Sequence, residues 1–254
     1  MSAPSVQLYS VREALAADLI GTVARVADLG FDRVEPYAFV EHTADYARAF
    51  AAAGVSAPSG HASVIDVDDP ARVFDAAGQL GIGTVIDPFV PSERWQTADD
   101  ARRNADRVNE LADAAAAVKL SFGYHNHHWE LQNTVDGRPI YDLFVERLAP
   151  SVVLEVDTFW STVGGQVGFL HIKDGAVVGD IASALPSAEN ALDVPDAFAA
   201  AFLGQTPAGQ GDIDIRAILA ASPSAIRVVE FDAYRGDIFE GLAASLAWLI
   251  DNDS

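Results

Sequence analysis

Two periodicities alternate along this chain. Short runs rich in β-branched and aromatic residues take turns with longer Ala- and Leu-rich stretches whose apolar positions repeat every three or four residues. The short runs are PSVQLYS (4–10), RVEPY (33–37), SAPSGHAS (56–63), TVIDPFV (84–90), LSFGYHNH (120–127), VVLEVD (152–157), VGFLHIKD (167–174) and IRVVEFD (226–232). They predict eight strands. Between the first two, Leu15, Leu19, Val23, Val26 and Leu29 mark a helix over 12–29 that Gly30 stops. Further helices are predicted over 40–53, ending before Gly54, over 69–80, ending before Gly81, over 98–118 with Thr97 as N-cap, and over 237–250. Eight βα units in 254 residues predict an α/β fold, a (β/α)8 TIM barrel, with 1–254 as a single domain. A doubly wound open sheet is the alternative, but YSVRE after the first strand is not a Gly-rich phosphate loop.

The repeat is irregular in two places. Only the nine residues TFWSTVGGQ separate Asp157, which ends the sixth strand, from Val167, which begins the seventh. A parallel crossover ordinarily takes a dozen or more residues with a helix. Nine extended residues reach roughly 30 Å, enough to return beside a short strand. The expectation is a shortened connection between strands 6 and 7. The apolar barrel surface left bare would then be covered by something else, for example a second copy in a homo-oligomer. The second irregularity is the long stretch 176–211 before the last strand, expected to fold over the top of the barrel.

Composition narrows the function classes. The formal net charge of -21 opposes nucleic acid and anionic membrane surfaces as partners but not a small neutral ligand or a divalent cation. With only Lys119 and Lys173 as lysines, a lysine-rich phosphate cradle is not expected. The absence of cysteine excludes disulfides, thiolate metal sites and a cysteine nucleophile. No basic-then-apolar leader and no membrane-length apolar run is visible, so the expected location is the cytoplasm.

Three of the six histidines fall in GYHNHHWEL (123–131), at the C-terminal end of the fifth strand, where barrels carry their chemistry. Strand alternation puts His125 with His127, Glu155 with Asp157, His171 with Lys173, and Glu230 with Asp232 on shared faces. Gln7, Glu35 and His61 come from the first three strands. Taken singly, each histidine reads as a hydrogen-bonded structural residue, and Glu230 as an ion-pair partner of Arg227 or Arg12. Together, Glu130, Asp157, His171 and Glu230 close four consecutive strands. Three carboxylates so placed require compensation, which a divalent cation supplies. Oxygen-rich ligation with one imidazole suits Mn²⁺ first, with Mg²⁺, Co²⁺, Zn²⁺ and Fe²⁺ as alternatives.

The motifs GYHNHHWEL, LEVDTFW, GFLHIKDG, GQGDIDI and VVEFD, in this order, resemble the xylose isomerase-like TIM-barrel superfamily, in its sugar phosphate isomerase/epimerase branch. VQLYSVRE and LGFDRVEPY fit the same pattern, so the resemblance spans nearly the whole chain. It implies a metal held by Glu130, Asp157, His171 and Glu230, with His125 or His127 as alternatives to Glu130. It also implies isomerisation or epimerisation of a sugar or keto-sugar through an enediolate. Glu130 and Glu230 would be the acid–base pair, and His125 would be a second catalytic base or acid where the enediolate instead expels a β-substituent. Gln7, Glu35, His61, His127, Trp160 and Lys173 would shape the sugar site. A lyase or hydratase acting on a 3-keto-glycoside is one alternative, and a non-catalytic barrel subunit is another. The superfamily's endonuclease branch needs a trinuclear zinc site and a basic groove, which the charge of -21 opposes.

Overall fold

A computed structural model describes residues 3–158, 167–176 and 203–253. Eight parallel strands form one sheet: β1 (Ser5–Gln7), β2 (Val34–Glu35), β3 (Ser59–His61), β4 (Thr84–Asp87), β5 (Ser121–His125), β8 (Val153–Asp157), β9 (Val167–Ile172) and β12 (Ile226–Val229). The intervening labels belong to two small antiparallel pairs: β6 (Thr134–Val135) with β7 (Arg138–Pro139), and β10 (Asp174–Gly175) with β11 (Gln205–Thr206). The sheet order is β2-β1-β12-β9-β8-β5-β4-β3, and bridges Arg33–Ser56 and Tyr37–His61 join its two edges. The result is a (β/α)8 barrel, with each of the eight strands falling inside a run marked out by the sequence.

The helices follow their predicted caps, with one break. Pro70–Leu80 and Thr43–Ala53 each end on a left-handed glycine, Gly81 and Gly54. Ala98–Ala117 begins at Thr97, whose side chain accepts from Asp100 N–H while the Asp100 carboxylate accepts from Thr97 N–H. This reciprocal cap fixes the start of the longest helix among the described residues, so Thr97→Ala is expected to cost about 1 kcal/mol in urea unfolding. The stretch 12–29 is two helices, Arg12–Ala17 and Leu19–Asp28. Asp18 turns extended between them and accepts from Gly21 N–H, capping the second.

β8 and β9 lie side by side and parallel, although nine residues connect them. Their register shifts between Leu154 and Glu155, where Gly168 has no partner. A Cβ at Gly168 would come within 2.6 Å of Val153 Cγ1, and one at Gly123 within 2.6 Å of the Val153 carbonyl oxygen. Glycine at both positions lets β5, β8 and β9 approach closely. The bulge also resets the alternation, so that Phe169 and His171 both enter the barrel beside Glu155.

Inside the barrel, Ile86, Phe169 and Val228 form an apolar floor, with Val153 and Ile226 against it. The outer faces of the strands pack on the helices; Phe122, Tyr124, Trp95 and Phe144 belong to that larger core. The buried acids and histidines of the interior sit above the floor, toward the strands' C-terminal ends. One further feature secures that rim. The Asp174 carboxylate accepts from the N–H groups of Gly175, Gly209, Gly211 and Ile213. With the β10–β11 pair, it clasps the chain on either side of the stretch between Gly175 and Gln205. The predicted fold of 176–211 over the barrel top otherwise lies mostly outside the described residues.

Candidate metal centre

Two layers of polar side chains rise from the floor. The lower layer holds Gln7, Glu35, Ser59, His61, His125 and Glu155, all buried. Glu35 accepts from Gln7 Nε2 at 2.7 Å and from the Ser59 hydroxyl, and lies 2.8 Å from His171 Nε2. Glu155 Oε2 gathers three imidazoles: His61 Nε2 at 2.5 Å, His171 Nε2 at 3.0 Å and His125 Nδ1 at 3.2 Å. These carboxylates and rings compensate one another. Burial opposes ionisation of Glu155, yet His171 and His61 hold its carboxyl well below the usual range. Burial also opposes charge on His61 and His171, but Glu155 leads the carboxylates that raise both rings above their ordinary value, His171 strongly. Glu35 goes the other way, raised by burial and by the Glu155 charge.

The upper layer holds Asp157, Lys173, Glu230 and Asp232 around the other side of the His171 ring. His171 Nδ1 faces Glu230 Oε2 at 2.5 Å. Lys173 Nζ lies 2.8 Å from Asp157 Oδ2, 2.9 Å from Glu230 Oε2 and 3.0 Å from Asp232 Oδ1. Burial alone would neutralise Glu230, but Lys173 and His171 keep it strongly ionised. Asp157 is pushed up to about 6 by burial, against the pull of Lys173. Thr158 ties the two strand ends together. Its hydroxyl accepts from Lys173 N–H at 3.0 Å and lies 2.8 Å from the His171 carbonyl oxygen.

Among the described residues, two groups have the donor atoms to hold an ion: His61, His125, Glu155 and His171, and separately Asp157, His171 and Glu230. His171 belongs to both, and its two nitrogens face different carboxylates, Nε2 toward Glu155 and Nδ1 toward Glu230. Its Nε2 is occupied by Glu35 and Glu155. Its Nδ1 and Glu230 Oε2 are buried without a well-formed hydrogen bond. An imidazole that donates one N–H to a carboxylate and offers the other nitrogen is how metal-ligating histidines are held. The donor set of the upper layer, two carboxylates and one imidazole, therefore fits a divalent cation.

The residues anticipated from sequence are distributed as follows. Asp157, His171 and Glu230 come together, with Lys173 among them and His125 Nε2 3.8 Å from Asp157 Oδ2. Glu130 belongs to neither ion-holding group. The chain turns into the short helix Trp129–Gln132 immediately after the fifth strand. There Glu130 accepts from the Tyr124 phenol at 2.7 Å and from His127 N–H at 2.9 Å. Tyr124 belongs to the outer core, so Glu130 is drawn beneath the helices rather than over the barrel mouth. Burial raises its carboxyl to about 8. His127 stacks on Trp129 at 4.3 Å between ring centres. Below the mouth, Glu35 accepts from Gln7 Nε2 and lies 3.3 Å from His61 Nε2 and 2.8 Å from His171 Nε2. Trp160 lies outside the described residues. Sequence reasoning passed over Glu155 and Asp232, although alternation had already put each on the face of a chosen ligand, Asp157 and Glu230.

Comparison with solved structures agrees with this architecture. A sugar phosphate isomerase/epimerase from Parabacteroides distasonis superposes with a TM-score of 0.73 at 20% identity, covering 97% of this chain and 93% of that one. The IOLI protein with a bound zinc atom gives 0.71 at 16% identity, covering 100% and 98%. An L-ribulose 3-epimerase gives 0.65 at 14% identity, covering 100% and 95%. No protein-family model matches the chain, and a search of curated proteins gives no match. The chain has the fold of the xylose isomerase-like TIM barrels. No helix among the described residues is long and apolar enough to cross a membrane.

Proposed function

We propose that this protein is a divalent-metal-dependent isomerase or epimerase of a sugar or keto-sugar. Asp157, His171 and Glu230 would hold the ion, Mn²⁺ by the balance of oxygen and nitrogen donors. The observation that carries this reading is the orientation of His171: Nε2 lies against Glu35 and Glu155, and Nδ1 faces Glu230, which forms an ion-holding group with His171 and Asp157. A bound cation of this kind polarises a substrate carbonyl and makes the neighbouring C–H acidic.

The protein's own groups then move the proton. Glu230 is ionised and reaches the mouth, which suits it to accept a proton from carbon. His125 is held neutral, its ring lowered to about 4 by burial and by His171. With Nδ1 facing Glu155, its Nε2 is directed toward Asp157 as a neutral proton acceptor. Glu230 can take the proton and return it to the neighbouring carbon, whereas exchange between two faces of one carbon needs His125 to take up a solvent proton and deliver it while Glu230 accepts the other. Glu130, placed on Tyr124, takes no part in this scheme.

The test is proton exchange. Purified protein supplied with Mn²⁺ is incubated in D₂O with a panel of free sugars and keto-sugars. Deuterium entering the carbon beside the carbonyl is expected for at least one of them. No exchange anywhere in the panel with the protein saturated in Mn²⁺ overturns the proposal. Release of a β-substituent instead moves the activity to the lyase class.

A further inference from the structure

The upper layer already contains a cation. Lys173 Nζ contacts Asp157 Oδ2 and Glu230 Oε2, oxygens of the two carboxylates that complete the ion-holding group with His171. The side chain is almost wholly buried, and its ammonium has a third carboxylate, Asp232, at 3.0 Å. Asp232 is itself held in place. Its second oxygen accepts from Gln205 Nε2 at 2.7 Å, and its N–H donates to Gln205 Oε1 at 2.8 Å. Asp232 does not belong to either ion-holding group.

Two cations cannot draw fully on the same pair of carboxylates. Like charges a few ångströms apart in a buried site repel strongly. Without a counter-charge, Asp157 and Glu230 would face each other as uncompensated buried carboxylates. We infer that Lys173 is a built-in competitor for the metal site: its ammonium compensates Asp157 and Glu230 when no metal is bound, and metal loading transfers it to Asp232. This rests on the metal-site reading proposed above. It makes Lys173 a positioning residue for the ion, distinct from a group that only touches sugar. It also assigns Asp232 the role of receiving the displaced charge.

Mn²⁺ binding followed by calorimetry, together with thermal unfolding with and without Mn²⁺, tests this in wild type, K173Q, D232N and the double variant. K173Q is expected to bind Mn²⁺ on the order of tenfold more tightly, or better. Metal-free K173Q should melt below wild type, and saturating Mn²⁺ should close most of that gap. D232N should weaken Mn²⁺ binding when Lys173 is present and much less in the K173Q background. Equal loss in both backgrounds would show Asp232 to be only a nearby charge and overturn the transfer. Unchanged or weaker Mn²⁺ binding by K173Q overturns the competition. A K173Q protein that folds only with Mn²⁺ supports it in stronger form; one that Mn²⁺ cannot rescue overturns it. Failure of the metal-site reading looks different: wild type and K173Q both ignore Mn²⁺, and D157N changes nothing.

Discussion

Glu230→Gln lowers turnover by on the order of 10²–10³-fold on whichever sugar passes the exchange test, with the fold intact. Glutamine fills the same space and keeps an acceptor oxygen. What it loses is charge. Glu230 faces His171 Nδ1 at 2.5 Å and Lys173 Nζ at 2.9 Å, so its ionised form is tied to both. The variant should need more Mn²⁺ for half-saturation and should remain slow once saturated, because the proton acceptor is gone as well. Steady-state rates across a Mn²⁺ titration separate the two effects, and circular dichroism checks the fold. Wild-type turnover at saturating Mn²⁺ would remove Glu230 from the chemistry.

Stability should fall as the pH rises from about 5 to about 8, and Glu130→Gln should flatten much of that fall. Glu130 is fully buried, and burial carries its carboxyl from 4.5 up to about 8. The Tyr124 phenol and the His127 N–H oppose that rise without cancelling it. A raised carboxyl means that the folded protein holds its proton where the unfolded chain has already released one. Its contribution is complete below the unfolded value and is lost as the pH climbs through the folded one. The loss is on the order of 4 kcal/mol for this single group. Glutamine can accept from Tyr124 and cannot ionise. Urea unfolding at pH 5 and pH 8 reads the difference directly. A wild-type slope that survives in E130Q would mean that other groups carry it, with His61 and His171, both raised, the next to consider.

These two glutamates also show how far the sequence could be read. Strand alternation is a strict geometric rule, so the inward direction of Asp157, His171, Lys173 and Glu230 was legible. Glu130 lies beyond a strand end, where no periodicity applies. Its direction depends on a four-residue helix and a bond to Tyr124, neither of which has a signature in spacing. The helix break at Asp18 was hidden because the apolar stripe Leu15, Leu19, Val23 continues across it. The β6–β7 hairpin did leave a signal. Asp136–Gly137, both at positive φ, is the Asp-Gly turn that favours two-residue hairpins. The bulge at Gly168 puts Val167 against the outer core ahead of the regular stretch from Phe169, and one glycine in a run of apolar residues does not announce it.

The clasp at Asp174 has an evolutionary consequence. Both ends of the stretch between Gly175 and Gln205 are fastened at one carboxylate and one short antiparallel pair. Whatever lies between enters and leaves the barrel at neighbouring points. Lengthening, shortening or exchanging it is expected to leave the strand register and the proposed ion-holding residues where they are. A lineage could trade that cassette for another and explore new substrates while inheriting its chemistry unchanged.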